Sequence, residues 1–404
     1  MIRAACTIVS LNYLSYARTL CNSYLEFHPS HKFYVLLVDR LPARSEFSNE
    51  RFEIVLVEDL PIPSFESVAF KYDVLELNTS VKPTFLKTLL ARGVDELIYF
   101  DPDILICSAV DFIFEASRTN GIVLTPHCTS PNDESPKEEA NLLQSGVFNL
   151  GFIAVSRNEE VGRFLNWWEN RCLSLGYVER WSGLFVDQKW INQVQWYFDS
   201  VYVLKHAGCN VAYWNLHERE LTKVGMSWVV NGTVPLIFFH FSGISIDGGT
   251  QISTHTDQFN LLSRPDLTEL FACYRECLLR NGIRELSAQP YAFGVFSNGR
   301  LINKLLRALY SANLDKFGSA NPFDATGPFF QWAEKNHLQA LQDTVGKHTK
   351  KTYDKKDPKV RLVNAMLRLA LRLLGCDRYT ILMKYLAFVS TLRNQKDVFT
   401  APTE

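Results

Sequence analysis

Two aspartates on either side of one proline, Asp101-Pro102-Asp103, interrupt an apolar run that extends from Leu97 to Ile106. Unpaired carboxylates are costly to bury, and a divalent cation is the simplest partner that would hold two of them at one point. Pro102 has a fixed φ and pushes Asp101 towards extended backbone, which helps the two side chains converge. The plainer alternative is a strand end with two solvated acids, since an Asp-x-Asp triplet alone is a weak signal. Another ligand type lies far along the chain. His240 sits inside Pro235-Leu-Ile-Phe-Phe-His240-Phe-Ser-Gly243, where its ring nitrogens need partners. A satisfied core histidine and a metal ligand both answer that need. Asn149 and Gly151 open the apolar segment 148–156. The amide offers a donor and an acceptor, and the glycine lets backbone approach a ligand closely. Asp187 and Gln188 stand at the start of a helical pattern, where capping is the default role of the aspartate. Lys82 opens another helix, a poor place for a cation unless it faces an anion; a solvated surface lysine is the alternative.

The elements that would position these groups alternate. Residues 4–11 read as a buried strand with Asn12 and Tyr13 at its carboxyl end, followed by a helix over 14–27 and strands over 32–39 and 52–57. Helical patterns at 70–77 and 83–91 precede the acidic strand, and further strands are expected at 121–126, 148–156, 201–204, 210–215 and 235–243. A helix over 161–175 separates two of these. Such alternation predicts an α/β fold with a parallel, doubly wound sheet. Ligands of such sheets bind beyond the carboxyl ends of strands, near the switch in strand order, and Tyr13 and Asp101 both fall at such ends. The polar stretch 127–144 reads as a mobile loop over the site. From about residue 265 only helices are expected, at 267–281 and 301–314, with an aromatic connector at 322–332.

Composition narrows the classes. A chain of 404 residues with 47% hydrophobic and 13% aromatic content is long enough for two or three well-filled domains. The formal net charge of −1 excludes a globally basic nucleic-acid binder, and no aromatic–basic nucleic-acid motif is present. Nine cysteines, odd in number and scattered among apolar neighbours, read as free core thiols of a reducing cytoplasm rather than as a zinc site. The first residues are too short and strand-like for a secretory signal, and no apolar run approaches the roughly 18 residues of a membrane span. The neutrality hides an asymmetry: between 345 and 396 thirteen lysines and arginines face three aspartates. Arg361, Arg368 and Arg372 recur at helical spacing beside Leu362, Met366, Leu367 and Leu371. This cationic amphipathic pattern suits an anionic membrane surface, or a terminal helix packed on its own domain.

Taken in order, these segments resemble the metal-dependent glycosyltransferases of the GT-A fold, and within them the retaining family 8 enzymes, galactosyltransferase- and glycogenin-like. The resemblance runs over roughly residues 4–245 as a series of short motifs. It implies that Asn12 and Tyr13 form the nucleotide-binding turn, with the tyrosine ring over the uracil. Lys82 falls where the family has a basic residue facing the donor. Asp101 and Asp103 match its Asp-x-Asp strand, and Phe148-Asn149-Leu150-Gly151 its Phe-Asn-x-Gly strand, whose asparagine contacts the donor sugar. Asp187-Gln188 resembles the Asp-Gln pair beside the anomeric carbon, and His240-Phe-Ser-Gly243 the His-x-x-Gly metal and diphosphate turn. Two departures stand out. The family's Lys-Pro-Trp after the late histidine is replaced by Ser245-Ile-Asp-Gly-Gly249, so Lys82 or Lys223 is expected to substitute in holding the diphosphate. Lysine for arginine at position 82 also gives up bidentate geometry.

The expected architecture is therefore α/β: a GT-A catalytic domain over 1–265 with a mostly parallel sheet, a helical region over 266–345, and a basic amphipathic tail over 346–404. The expected activity is transfer of a hexose from a nucleoside diphosphate sugar, UDP-linked by resemblance, to a saccharide or lipid-linked glycan. Asp101, Asp103 and His240 would hold Mn²⁺, or Mg²⁺, with Gln188 and Asp187 on the sugar side. The expected location is cytoplasmic, peripheral at the inner face of the membrane. Two other classes remain open: a nucleotidyltransferase, although residues 7–20 lack the glycine-rich loop it normally uses, and a catalytically silent sugar-nucleotide binder or scaffold.

Overall fold

The computed structural model describes residues 1–40, 49–338 and 356–399. Lys347, Lys350, Lys351, Asp354 and Lys355, counted above in the basic tail, lie outside the described residues. The chain forms two compact units, Met1–Pro63 with Val74–Ala292, and Ser64–Asp73 with Phe293–Glu404.

The first unit is built on β1 (Arg3–Val9), β2 (Lys32–Leu37), β3 (Glu53–Leu56), β4 (Glu96–Phe100), β5 (Ile104–Ile106), β6 (Ile122–Pro126) and β7 (Phe148–Ser156). With the strand Val201–Val203 at one edge, the main sheet runs in the order Val201–Val203, β6, β7, β4, β1, β2, β3. It is mostly parallel, as expected, but β7 runs antiparallel to both of its neighbours. Both faces of β7 are buried along all nine residues, so its apolar pattern carries no direction. Strand order switches at β1, which pairs in parallel with β2 on one side and β4 on the other. The crevice above that switch is flanked by the turn Leu11–Tyr13 and by Asp101.

Several local expectations change. The stretch 127–144 is not wholly loop: Pro136–Ser145 is a helix with Pro136 in its first turn and no buried residue, so it carried no apolar stripe to read. Residues 210–215 form a single bridge, Val211 to Phe239, and the 3₁₀ turn Tyr213–Asn215 rather than a strand. The helix Thr268–Arg280 belongs to the first unit, because Leu270, Phe271, Tyr274 and Leu278 share a core cluster with Phe239 and Phe241. The compact units accordingly part after Ala292, not at the expected 265.

β5 leaves the main sheet and pairs antiparallel with Phe238–His240, placing His240 opposite Ile104. Behind this pairing, the rings of Phe100, Phe152 and Phe238 meet at centroid separations of 5.2–5.7 Å. All three are fully buried. Each such side chain contributes about 1.5–3 kcal/mol by leaving water, so the brace fixes β4, β7 and the histidine strand together.

In the second unit, Phe70 is ringed by Phe296, Tyr310, Phe323 and Phe329 at 4.8–5.7 Å. Arg307, on the helix Lys304–Ala312, is buried and donates to the carbonyls of Ala69, Phe70, Tyr72 and Phe293. The short helix Phe65–Lys71 thereby joins the carboxyl-terminal helices, far from it in sequence. Pro328–Lys335, expected as connector, is a further helix of this unit.

Candidate active site

Asp101 and Asp103 occupy the tight turn that ends β4, closed by Ile104 N–H donating to the Asp101 carbonyl at 3.2 Å. The turn is tied to its neighbours through backbone: Asp101 N–H donates to the Gly151 carbonyl at 2.7 Å, and Phe241 N–H to the Asp103 carbonyl at 2.8 Å. His240 Nε2 consequently lies 3.0 Å from Asp103 Oδ1 and 3.9 Å from Asp101 Oδ2. These three side chains are the one group of metal-ligating type found among the described residues, and their ligand atoms lie within 4.8 Å of one another.

The residues fit a divalent ion. Two ligands about 2.1 Å from one ion stand about 3 Å apart when they meet it at right angles, the spacing of His240 and Asp103, while Asp101 stands 3.9 Å from the imidazole. Gly151 leaves the room: a Cβ there would come within 2.4 Å of His240 Cε1 and 2.9 Å of Asp101 Oδ2. The far atoms of two ligands are already held. Tyr99 O–H donates to Asp101 Oδ1 at 2.6 Å. The histidine tautomer follows from a chain of bonds that begins at an unambiguous donor, Gly151 N–H, which gives its hydrogen to Asn149 Oδ1 at 3.2 Å. That oxygen also accepts from Asn210 Nδ2 at 3.0 Å, so Asn210 turns its own Oδ1 to His240 Nδ1 at 3.3 Å. Nδ1 therefore carries hydrogen, and Nε2 is the nitrogen that can present a lone pair to a metal.

Charge around the turn is distributed unevenly. Burial pushes the Asp103 carboxyl up, but the His240 imidazolium beside it prevails and holds it below the usual carboxylate range. Burial in turn lowers the His240 pKa, and Asp103 and Asp101 more than offset this, leaving it raised. His127, whose Nε2 faces Asn149 Nδ2 at 3.4 Å, is pushed down to about 4 by burial and is a neutral acceptor. Lys82 is 1% exposed: its ammonium pairs with Asp187 at 2.7 Å, donates to the Leu150 carbonyl at 2.8 Å and lies 4.2 Å from the Tyr99 ring centroid. It also stands 3.9 Å from Asp101 Oδ1. Burial raises the Asp187 carboxyl despite this cation.

Of the sequence-derived residues, Lys82, Asp101, Asp103, Asn149, Gly151, Asp187, Gln188 and His240 are joined by direct contacts or through the Leu150 backbone, with altered duties. Lys82 is neither a solvated surface lysine nor free to reach a diphosphate, being committed to Asp187 and to backbone. Lys223, on the separate hairpin strand Leu221–Val224, pairs with Glu269. Asp187 does not cap the turn Lys189–Gln193 through its side chain, since its carboxylate faces Lys82. Gln188 is buried with both amide ends engaged, accepting from Leu150 N–H at 3.0 Å and donating to the Ser145 carbonyl at 3.1 Å. Asn12 accepts from Ser10 Oγ at 2.6 Å. Tyr13 is 45% exposed and stacks on Tyr16 at 4.8 Å, presenting a ring at the crevice. Gly243 has φ +74°, and a Cβ there would meet Ser253 Oγ at 2.7 Å and His255 Cδ2 at 2.8 Å, so the turn after His240 is clasped by residues 253–255.

Sequence reasoning missed Tyr99, Asn210, His127 and His255. Tyr99 had a signal, since alternate residues of a strand share a face with Asp101 two places on. Asn210, at φ +54°, had only the preference of asparagine for left-handed backbone.

No family model matches the chain. It is 26% identical over 285 residues to the uncharacterized protein YfnF of Bacillus subtilis (strain 168), covering 69% of this chain and 92% of the relative. The uncharacterized protein YfnD of the same organism is 26% identical over 247 residues, 59% of this chain and 77% of the relative. Among solved structures the fold is similar to glycosyltransferases. The galactosyltransferase LgtC, solved with donor and acceptor sugar analogs, aligns at 12% identity and TM-score 0.41, covering 71% of this chain and 97% of that one. The glycosyltransferase GlyE of Streptococcus pneumoniae TIGR4 aligns at 14% and 0.42, covering 73% and 67%. Mouse xyloside xylosyltransferase 1 aligns at 11% and 0.36, covering 59% and 97%.

Proposed function

We propose that this chain is a divalent-metal-dependent glycosyltransferase that moves a hexose from a nucleoside diphosphate sugar, UDP-linked, to a saccharide or lipid-linked glycan, with retention at the anomeric carbon. The observation that carries the reading is the convergence of Asp101, Asp103 and His240 at the mouth of the strand-order switch, with the histidine tautomer set for a metal. The imidazole ligand favours Mn²⁺ over Mg²⁺. A bound divalent ion there supplies Lewis-acid stabilisation of the charge that builds on a departing diphosphate.

The chain's own residues do the remaining work. The exposed Tyr13 ring offers a stacking face for the base beside Asn12. Gly151 keeps the floor low enough for phosphate and sugar to approach, and Gly243 lets the turn after His240 pack against residues 253–255. Asn149 and the Gln188 dipole, both fixed by hydrogen bonds, line the sugar side together with Asp187. Gln188 serves as an oriented dipole, because its amide is a poor nucleophile and is held at both ends. Lys82 pairs with the buried Asp187 and steadies the Leu150 carbonyl, so it orients the site without touching the donor.

The test is a panel of labelled nucleoside diphosphate sugars incubated with Mn²⁺, in which a transferase slowly hydrolyses its donor even without acceptor. Asp103→Ala should abolish that hydrolysis while leaving the unfolding transition in place, and a chelator should do the same to the natural protein. Retained donor with no turnover would mark a silent binder, release of sugar 1-phosphate a nucleotidyltransferase, and full activity in either treatment would remove the metal from the reaction.

A further inference from the structure

The helix Pro358–Ser390 is a long element with no buried residue. Gly375, at φ 74° and ψ 170°, breaks it into two segments. In the first, Arg361, Arg368 and Arg372 fall within about 40° of one another around the axis at 3.6 residues per turn. Leu362, Met366, Leu369 and Leu373 share a separate face and are 55–76% exposed. Soluble surfaces rarely leave such a contiguous apolar stripe open, so it needs an occupant. Six cations and a single acid, Asp377, lie between 358 and 390, although the whole chain carries a net charge of −1. No helix among the described residues is long and apolar enough to cross a membrane.

We infer that this helix docks flat on an anionic lipid surface, with the leucine face in the acyl boundary and the arginine stripe against the headgroups. A wide apolar face set apart from an acid-free cationic stripe is the pattern of interfacial helices. The complementary charge favours anionic lipid over a protein groove, where acids would be expected to appear on the same face. This inference stands independently of the transferase reading.

The full chain is sedimented with vesicles of phosphatidylcholine alone and with vesicles containing phosphatidylglycerol. It should partition into the anionic vesicles about tenfold or more preferentially, and added salt should weaken the binding. Arg361→Glu with Arg368→Glu and Arg372→Glu should lose the preference. Leu369→Asp with Leu373→Asp should lose vesicle binding altogether, and both variants should keep the natural unfolding midpoint because the altered residues are exposed. Equal partition into neutral vesicles, absence from both pellets, or a concentration-dependent dimer that the two leucine changes dissolve would overturn the inference; the last would assign the face to a second copy of this chain.

Discussion

At the scale of single residues, the same groups that would hold a cation hold one another when it is absent, and pH decides between the two arrangements. His240 has a raised pKa, so its contribution to metal-free stability is full below about pH 6.5 and is lost as pH rises through its folded value. Asp103 is depressed, so its contribution is present above about pH 3.9 and is lost as pH falls through its own folded value. The ion pair therefore stabilises the metal-free chain best in the mildly acid window between. A metal must displace the Nε2 proton, so its binding strengthens as pH rises through the histidine pKa. Thermal unfolding with and without Mn²⁺ should show a larger metal-induced gain at pH 8 than at pH 6; an equal or smaller gain at pH 8 would sink the assignment of His240 as a ligand. Asp101, Asp103 and His240 were legible in sequence because charged and imidazole groups inside apolar runs need partners. Asn210 and Tyr99 were not singled out, because an asparagine or tyrosine reads as core or turn until the atom it holds is known.

At the scale of elements, the site depends on two strands that never meet in sequence. β5 and Phe238–His240 pair over three residues each, too short a ladder to be stable alone. The ring cluster of Phe100, Phe152 and Phe238 supplies the missing cohesion. Phe238→Ala should cost about 3–5 kcal/mol of stability by leaving a cavity. It should also weaken Mn²⁺ binding, measured by calorimetry on the fraction that remains folded, because the register of His240 loosens. A stability loss of that size with undiminished Mn²⁺ affinity would show that the backbone ties of the Asp101–Asp103 turn suffice. The alternation of strands and helices was readable here, since each has its own apolar period. The direction of β7 was not, because a strand buried on both faces looks the same in either sense. The exposed helix Pro136–Ser145 left no period at all.

At the scale of the whole molecule, the division into two units follows from one buried cation as much as from apolar packing. Sequence periodicity is local, so it could place helices after residue 265 but could not show that Ser64–Asp73 folds with Phe293 onwards. Arg307 explains that pairing. Arg307 is 5% exposed, and its guanidinium donates to four carbonyls, three of them from residues 69–72 and one from Phe293. The carbonyls of Ala69, Phe70 and Tyr72 lie at the end of Phe65–Lys71, where a helix leaves acceptors without intrahelical donors. Replacing the arginine with methionine preserves much of the volume and the contact with the surrounding rings but removes every donor. Hydrogen bonds from a charged donor contribute about 1.5–3 kcal/mol each, so Arg307→Met should destabilise the chain by about 3 kcal/mol or more in urea denaturation. Arg307→Lys should recover only part of this, because one ammonium cannot reach four acceptors spread across two segments. A methionine variant within about 1 kcal/mol of the natural protein would mean that the aromatic cluster around Phe70 alone recruits the distant segment, and that the cation follows the fold instead of directing it.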